Sequence, residues 1–164
     1  RYLRIFAKTE AFRGLDQKQQ RLLAFSCQGY EVKASKSIFK ANQKADAAYI
    51  CVSGLARVYW PKADGMSIPI TEVGPGRLIG DLAVIQNENR TLDLVAVEDS
   101  VFLRIGAQEL LAVIENDAAV ATNLLRTVAG HLNATAEALR ETHQIAAVQG
   151  VDLSALRPLG SDTT

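Results

Sequence analysis

Residues 80–93, Gly-Asp-Leu-Ala-Val-Ile-Gln-Asn-Glu-Asn-Arg-Thr-Leu-Asp, carry the strongest signal in this chain. Gly80 follows a short apolar run, and Asp81 is placed to begin a helical turn whose free N–H groups attract an anion. Arg90 carries a planar guanidinium that matches phosphate oxygens, and the Asp81 carboxylate can accept hydrogen bonds from hydroxyls. From these residues alone two interpretations stay open: a site for a phosphorylated sugar, or a surface loop with an ion pair.

Short runs rich in β-branched and aromatic residues surround this stretch and predict antiparallel strands. Tight turn signals separate the runs, among them Gly54, Gly65 and Gly76. This pattern is typical of a sandwich or a roll rather than a parallel sheet. The predicted strands are residues 38–39, 49–52, 55–60, 67–73, 92–97 and 101–105, with a short one between 76 and 80.

Helices are predicted before these strands. A first short segment is broken at Gly14, and Asp16 with Gln19 forms a capping-box pattern at the start of a second helix. We expect that second helix to end at Gly29. Its apolar positions are Leu22, Leu23, Phe25 and Cys27.

Two more helices are predicted after the strands. The first covers residues 106–115, and the second is capped by Asn116 or Asp117 and runs to about Ala147. The second helix has apolar residues at heptad-like spacing, which is typical of a dimer seam, although a helix lying along its own β-roll is the alternative. The seam positions of this possible homodimer are Leu125, Val128, Leu132 and Leu139.

These elements predict an α+β fold, an antiparallel jelly-roll β-roll flanked by N-terminal helices and a long C-terminal helix. We expect one domain over residues 1–147 and an irregular tail over residues 148–164. Within the domain, the N-terminal helices occupy residues 1–28, the β-roll 29–105 and the C-terminal helices 106–147. The chain begins at Arg1 rather than Met, which we interpret as a fragment of a longer parent protein.

Composition argues against several classes of function. The 18 basic residues balance 18 acidic ones, and a nucleic-acid-binding protein usually has a basic excess, so we expect no DNA binding by this chain. No apolar run is long enough to span a membrane and no signal peptide is visible, so we expect a cytoplasmic protein or the cytoplasmic module of a larger, membrane protein. Cys27 and Cys51 are expected to be reduced thiols. His131 and His143 lie too far apart on one helix to begin a metal site, so neither a metal nor a catalytic residue is predicted.

The run at residues 80–93 resembles the phosphate-binding cassette of the cyclic-nucleotide-binding domain family, which includes catabolite-activator-type regulators and protein kinase A regulatory subunits. That cassette is roughly Gly-Glu-Leu-Ala-Leu, a short loop, then Pro-Arg-x-Ala-Ser/Thr. Gly80, Leu82, Ala83 and Arg90 stand in matching places. Other short patterns of the family occur in the same order over residues 3–145. They lie at residues 12–15, 46–49, 53–58, 74–76 and 97–99.

The resemblance implies a regulatory domain, not an enzyme, that binds cAMP or cGMP and needs no further cofactor. It implies that Arg90 pairs with the cyclic phosphate and that Asp81 stands where the family has a Glu that accepts from the ribose 2′-hydroxyl. The long C-terminal helix would transmit occupancy to a partner domain or a dimer. The ligand-binding residues implied in this way are Gly80, Asp81, Leu82, Ala83, Arg90, Thr91, Leu92 and Asp93.

Besides Asp81 in place of Glu, the cassette departs from the family pattern where Asn89 replaces Pro, Leu92 replaces Ala, and Asp93 replaces Ser or Thr. An inward Asp93 about 4 Å from a phosphate would repel it by ~4 kcal/mol at an effective dielectric constant near 20. Asp93 could instead pair with Arg90, point outward along its strand, or accept from the amino group of a guanine. The alternative function is therefore a degenerate member of the fold, a ligand-free interaction or dimerisation module.

Overall fold

The computed structural model describes residues 2–150 and confirms the predicted antiparallel β-roll flanked by helices. The predicted strands all form, and one additional strand, β1, precedes them. The strands are β1 (Cys27–Val32), β2 (Ser37–Phe39), β3 (Ala47–Ser53), β4 (Ala56–Pro61), β5 (Ser67–Val73), β6 (Leu78–Ile79), β7 (Asp93–Ala96) and β8 (Ser100–Gly106). The helices are α1 (Leu3–Lys8), α2 (Gln17–Ser26), α3 (Asp81–Gln86), α4 (Ala107–Asn116) and α5 (Ala118–Gln149), with a 3-10 turn at Glu10–Phe12.

The strands form two four-stranded antiparallel sheets, in the orders β1-β8-β3-β6 and β2-β7-β4-β5. Alternate side chains of both sheets meet in one apolar cluster, because successive residues of a strand point to opposite faces. Phe39 and Leu94 come from one sheet, and Tyr49 and Phe102 from the other. A second cluster joins α1, α2, α3 and α4 to the outer side of β3 and β8. The cassette run therefore lies between two packed cores.

The second N-terminal helix begins as predicted and ends earlier. The side chain of Asp16 accepts from Gln19 N and the Gln19 side chain accepts from Asp16 N, which completes the capping box. The helix ends at Ser26, three residues before the expected Gly29, because Cys27 pairs with Ile105 at the start of β1. Of its predicted apolar positions only Leu23 is buried, whereas Leu22 and Phe25 are 61% and 89% exposed.

The long C-terminal helix is confirmed. Asp117 caps it, with Oδ1 accepting from Val120 N at 3.0 Å, and the helix runs to Gln149, slightly beyond the predicted end at Ala147. Of the tail predicted over residues 148–164, residues 151–164 lie outside the described part. No helix within residues 2–150 has the length and apolar character to cross a membrane.

The chain divides into two compact units, Arg1–Leu124 and Leu125–Thr164, and the boundary falls inside α5. The first unit contains both sheets and all elements from α1 to α4. In the second unit, three of the four predicted seam residues, Leu125, Leu132 and Leu139, are exposed, and Val128 is half-buried. The seam therefore presents a row of accessible leucines.

Two glycines at tight turns provide a matched test of the roll. Gly54 has a φ of +90°, and an added Cβ would lie 2.7 Å from both Asp99 O and Ser100 Cα. Gly65 has a φ of +85°, and an added Cβ meets no atom within 4 Å. Gly65→Ala should cost only the left-handed backbone penalty, about 1–2 kcal/mol. Gly54→Ala should cost on the order of 3 kcal/mol, because the overlap with backbone atoms is added. Urea unfolding of both variants measures the difference, and equal losses would contradict the tight packing of this turn.

Candidate functional site

The site centres on Arg90, which lies between α3 and β7 and is only 3% exposed. Its Nη1 donates a hydrogen bond to Gly80 O at 2.6 Å, and its Nη2 donates to Ala47 O. The guanidinium carbon lies 4.2 Å from the centroid of the Phe39 ring, a cation–π distance. This one side chain is therefore held by three separate elements. They are the N-cap of α3, the strand β3 and the strand β2.

Arg90 forms no salt bridge in the described part of the chain. Its buried Nε has no hydrogen-bond partner within residues 2–150. Burial lowers the pKa of Arg90 below its ordinary value, while the negative charges of Asp46 and Asp81 act in the opposite direction. The direct hydrogen bonds of this buried cation go to carbonyls, while Asp46 and Asp81 act on it only through space. A buried cation in that situation is costly, and an anion in direct contact is the partner that relieves the cost.

Gly80 is required by both its conformation and its surroundings. Its φ is +81°, and it is the N-cap of α3, the helical turn that the sequence predicts at Asp81. An added Cβ would lie 2.6 Å from Arg90 Nη1 and 3.2 Å from the Phe39 ring. The absence of a side chain therefore lets the guanidinium reach the backbone of the cassette.

The loop that follows β2 is joined to the second half of the cassette by three short hydrogen bonds. Ala41 N donates to Asp93 Oδ1, Asn42 N donates to Arg90 O, and Arg90 N donates to Gln43 O, each at 2.7 Å. The sequence did not predict the contact that the Asp93 carboxylate makes, which is with the backbone of this loop, and Asp93 is not in an ion pair with Arg90. The main chain of Arg90 is thereby fixed on both sides.

The structure brings Gly80, Asp81 and Arg90 together and places the other predicted residues around them. The half-buried Asp81 acts electrostatically on the Arg90 cation. Two members face solvent: Leu82 is 42% exposed and Thr91 is also exposed. Ala83 is partly buried against the helical core and Leu92 against the core between the sheets, and Asp93 contacts the loop after β2 as described above.

The sequence did not identify Ala47, Phe39 or Tyr49 as part of the site. Ala47 contributes a main-chain carbonyl, which no residue type signals. Phe39 and Tyr49 lie 6.0 Å apart between ring centroids, and Tyr30 lies 6.0 Å from Tyr49, so an aromatic wall adjoins Arg90. Burial raises the pKa of the Tyr49 phenol, which keeps it neutral. These rings belong to the core between the sheets, so the groups that suit a ligand here are the Arg90 cation and the Asp81 carboxylate, which match an anion with hydroxyls.

Comparison with known proteins gives matches over most of the chain. A family model described as the cyclic nucleotide-binding domain matches residues 30–117. The cyclic AMP receptor protein of Thermus thermophilus is 31% identical over 97 residues, 59% of this chain and 45% of that protein. Patatin-like phospholipase domain-containing protein 7 of Rattus norvegicus is 30% identical over 105 residues, 64% of this chain and 8% of that protein. The chain thus spans less than half the length of each of these relatives.

Solved structures show the same fold. The catabolite activator protein of Thermus thermophilus superposes with a TM-score of 0.74 at 27% identity, over 82% of this chain and 63% of that chain. The sensor domain of the transcriptional regulator DNR from Pseudomonas aeruginosa has a TM-score of 0.74 at 17% identity, over 83% of this chain and 91% of that chain. The second match shows a shared fold alone.

Asp93 can be tested as the residue that holds the loop after β2. Asp93→Ala leaves the Ala41 N–H without its acceptor and should lower the free energy of unfolding by about 1–2 kcal/mol. Asp93→Asn keeps an acceptor oxygen and should lose less than half of that amount. Urea unfolding of the three proteins measures both changes. An unchanged stability in Asp93→Ala would show that this contact does not hold the loop.

Proposed function

The chain belongs to the cyclic nucleotide-binding domain family, and we propose that it is a regulatory domain, without catalytic activity of its own, that binds cAMP or cGMP at Arg90. The observation that carries the proposal is the buried guanidinium of Arg90, which is in no ion pair within residues 2–150 and has an unpartnered Nε. The ligand class that fits must bring a negative charge into this place, as a cyclic phosphate does.

The groups around Arg90 suit the rest of a cyclic nucleotide. The guanidinium can form charge-assisted hydrogen bonds to the exocyclic phosphate oxygens, beginning with the unpartnered Nε–H. The Asp81 carboxylate, close enough to influence Arg90, can accept from the ribose 2′-hydroxyl. The backbone of Gly80, Leu82 and Ala83 lines the approach at the start of α3. Asp93 is engaged by Ala41 and forms no salt bridge with Arg90, so this carboxylate does not occupy the guanidinium.

A second candidate is a ligand-free interaction module, and one observation favours it. Both Nη groups of Arg90 already donate to main-chain carbonyls, those of Gly80 and Ala47. An incoming phosphate must compete with these contacts and open a site in which Arg90 is 3% exposed. The half-buried Leu92, where the family has Ala, adds bulk beside the same core. The two candidates differ in one free-energy balance. Nucleotide binds only if the free energy gained from the contact between the phosphate and Arg90 exceeds the free energy needed to break these contacts and open the site.

We further propose that α5 transmits the state of the site to an effector, either a second copy through the leucine seam or a domain of a longer parent protein. The exposed Leu125, Leu132 and Leu139 recur every seven residues in the second unit, as expected of a helix that pairs with another helix. The two relatives named above are called a receptor protein and a phospholipase-domain protein. The effector therefore differs between relatives, and DNA binding by this chain itself is not part of the proposal.

Calorimetric titration with cAMP and with cGMP tests nucleotide binding. We expect saturable binding to the unmodified chain and a loss on the order of 100-fold in Arg90→Met, since a buried charged hydrogen bond to phosphate is removed. Arg90→Lys keeps the positive charge but lacks the planar guanidinium, so its nucleotide affinity should lie between that of the unmodified chain and that of Arg90→Met. Arg13→Met, at an exposed position, is the matched control and should bind normally.

The same titration separates the two candidates. No heat and no thermal shift at millimolar cAMP or cGMP, with the fold intact by circular dichroism, would exclude the nucleotide-binding proposal and favour the interaction module. Binding that survives unchanged in Arg90→Met would mean that the ligand lies elsewhere.

Charged substitutions test whether the leucine seam of α5 mediates association. Leu132→Lys with Leu139→Lys places two cations on the proposed seam and should weaken association through α5 at least tenfold, because each buried leucine contact is replaced by an unpaired charge. Gln144→Lys adds the same charge to an exposed position on another side of α5 and should have little effect. Sedimentation equilibrium over a range of concentrations measures both, and equal behaviour of the two variants would contradict the seam.

A further inference from the structure

A groove lies between α2 and α4, within the unit Arg1–Leu124 and away from Arg90. Its volume is about 310 Å³, and its apolar walls come from both helices, Leu22 and Leu23 on one side and Ala112 and Val113 on the other. Leu22 stands at its edge with 61% of its surface exposed, and Phe25, one turn further along α2, is 89% exposed. Large apolar side chains this exposed beside an open groove mark a surface that associates.

The two borders of this surface carry opposite charges. On α2, Lys18 and Arg21 lie one turn before Leu22 and Phe25 respectively, on the exposed side of the helix. On α4, Glu109 and Glu115 lie on either side of Ala112, also exposed. None of these four side chains belongs to an ion pair within residues 2–150. The groove thus has a basic border on α2 and an acidic border on α4.

We propose that this surface, the exposed faces of α2 and α4, pairs with the same surface of a second copy of the chain. A two-fold axis over the groove sets the α2 border of each copy against the α4 border of the other, so Lys18 and Arg21 face Glu109 and Glu115 twice. The same axis brings Phe25 of each copy to the apolar groove of the other. A partner helix with charges of one sign would match only one border, which is why the geometry points to a second copy.

This interface contains no cassette residue, so it can be tested without a nucleotide and its failure is distinguishable from failure of the proposed function. It is also distinct from the α5 seam, so the test uses the full chain carrying Leu132→Lys and Leu139→Lys as its background. In that background we expect a monomer–dimer equilibrium by sedimentation. Lys18→Glu with Arg21→Glu should weaken the dimer about tenfold or more, and Glu109→Lys with Glu115→Lys should do the same, because like charges then face each other.

Mixing the two charge-reversed proteins is the decisive step. In the mixed dimer the acidic α2 of one copy meets the basic α4 of the other, and the two unmodified borders meet on the second side. Association should therefore return to about that of the background protein. A merely structural effect of the substitutions would not be repaired by mixing.

A matched pair of substitutions tests the apolar contact that Phe25 makes in the proposed dimer. Phe25→Ser should abolish the dimer, whereas Met66→Ser, which removes a 63% exposed apolar side chain elsewhere, should leave it unchanged. Both positions are exposed, so circular dichroism and thermal unfolding should stay those of the background protein. A background protein that is monomeric at every concentration, an association that resists charge reversal, or a mixture that fails to recover would each overturn the proposal.

Discussion

The buried guanidinium of Arg90 is the contact on which the arrangement of the β-roll around the cassette depends. It ties the N-cap of α3 through Gly80 O, the start of β3 through Ala47 O, and the end of β2 through the Phe39 ring. β2 and β3 belong to different sheets, so a single cation bridges the two halves of the roll. Because each donor in a dry interior needs an acceptor, shifting any of these elements leaves a charged group uncompensated.

This arrangement links ligand binding to the position of α3. An anion that pairs with Arg90 competes with the Gly80 carbonyl, and Gly80 directly precedes Asp81 at the start of the helix. α3 in turn buries Val84 in the same apolar cluster as Leu110 of α4. Under the proposed function, a change at Arg90 would reach α4 through this close packing, because a packed core moves in discrete steps rather than deforming continuously.

Local interactions account for the parts of the fold that could be predicted. The capping box at Asp16 and the cap at Asp117 each join residues only three positions apart, so their residue types identify them. Runs of β-branched and aromatic residues between turn signals predicted the strands of the roll, with β1 the exception. Cys27 was assigned to a helix because only its pairing with Ile105, far along the chain, makes it a strand. Leu22 and Phe25 fit a helical apolar pattern, yet both side chains are exposed to solvent in α2. The residue of α2 that is buried in the core is Leu23.

The sequence by itself determined the fold class, the turns, the caps and the cassette with its Gly80 and Arg90, because residue type and spacing encode short-range geometry directly. Only the tertiary structure decided what Arg90 and Asp93 contact. Their partners are the carbonyls of Gly80 and Ala47 and the amide of Ala41, main-chain groups that every residue possesses. Such groups become specific partners only when β2, β3 and β7 pair, and that pairing joins segments that no local pattern connects.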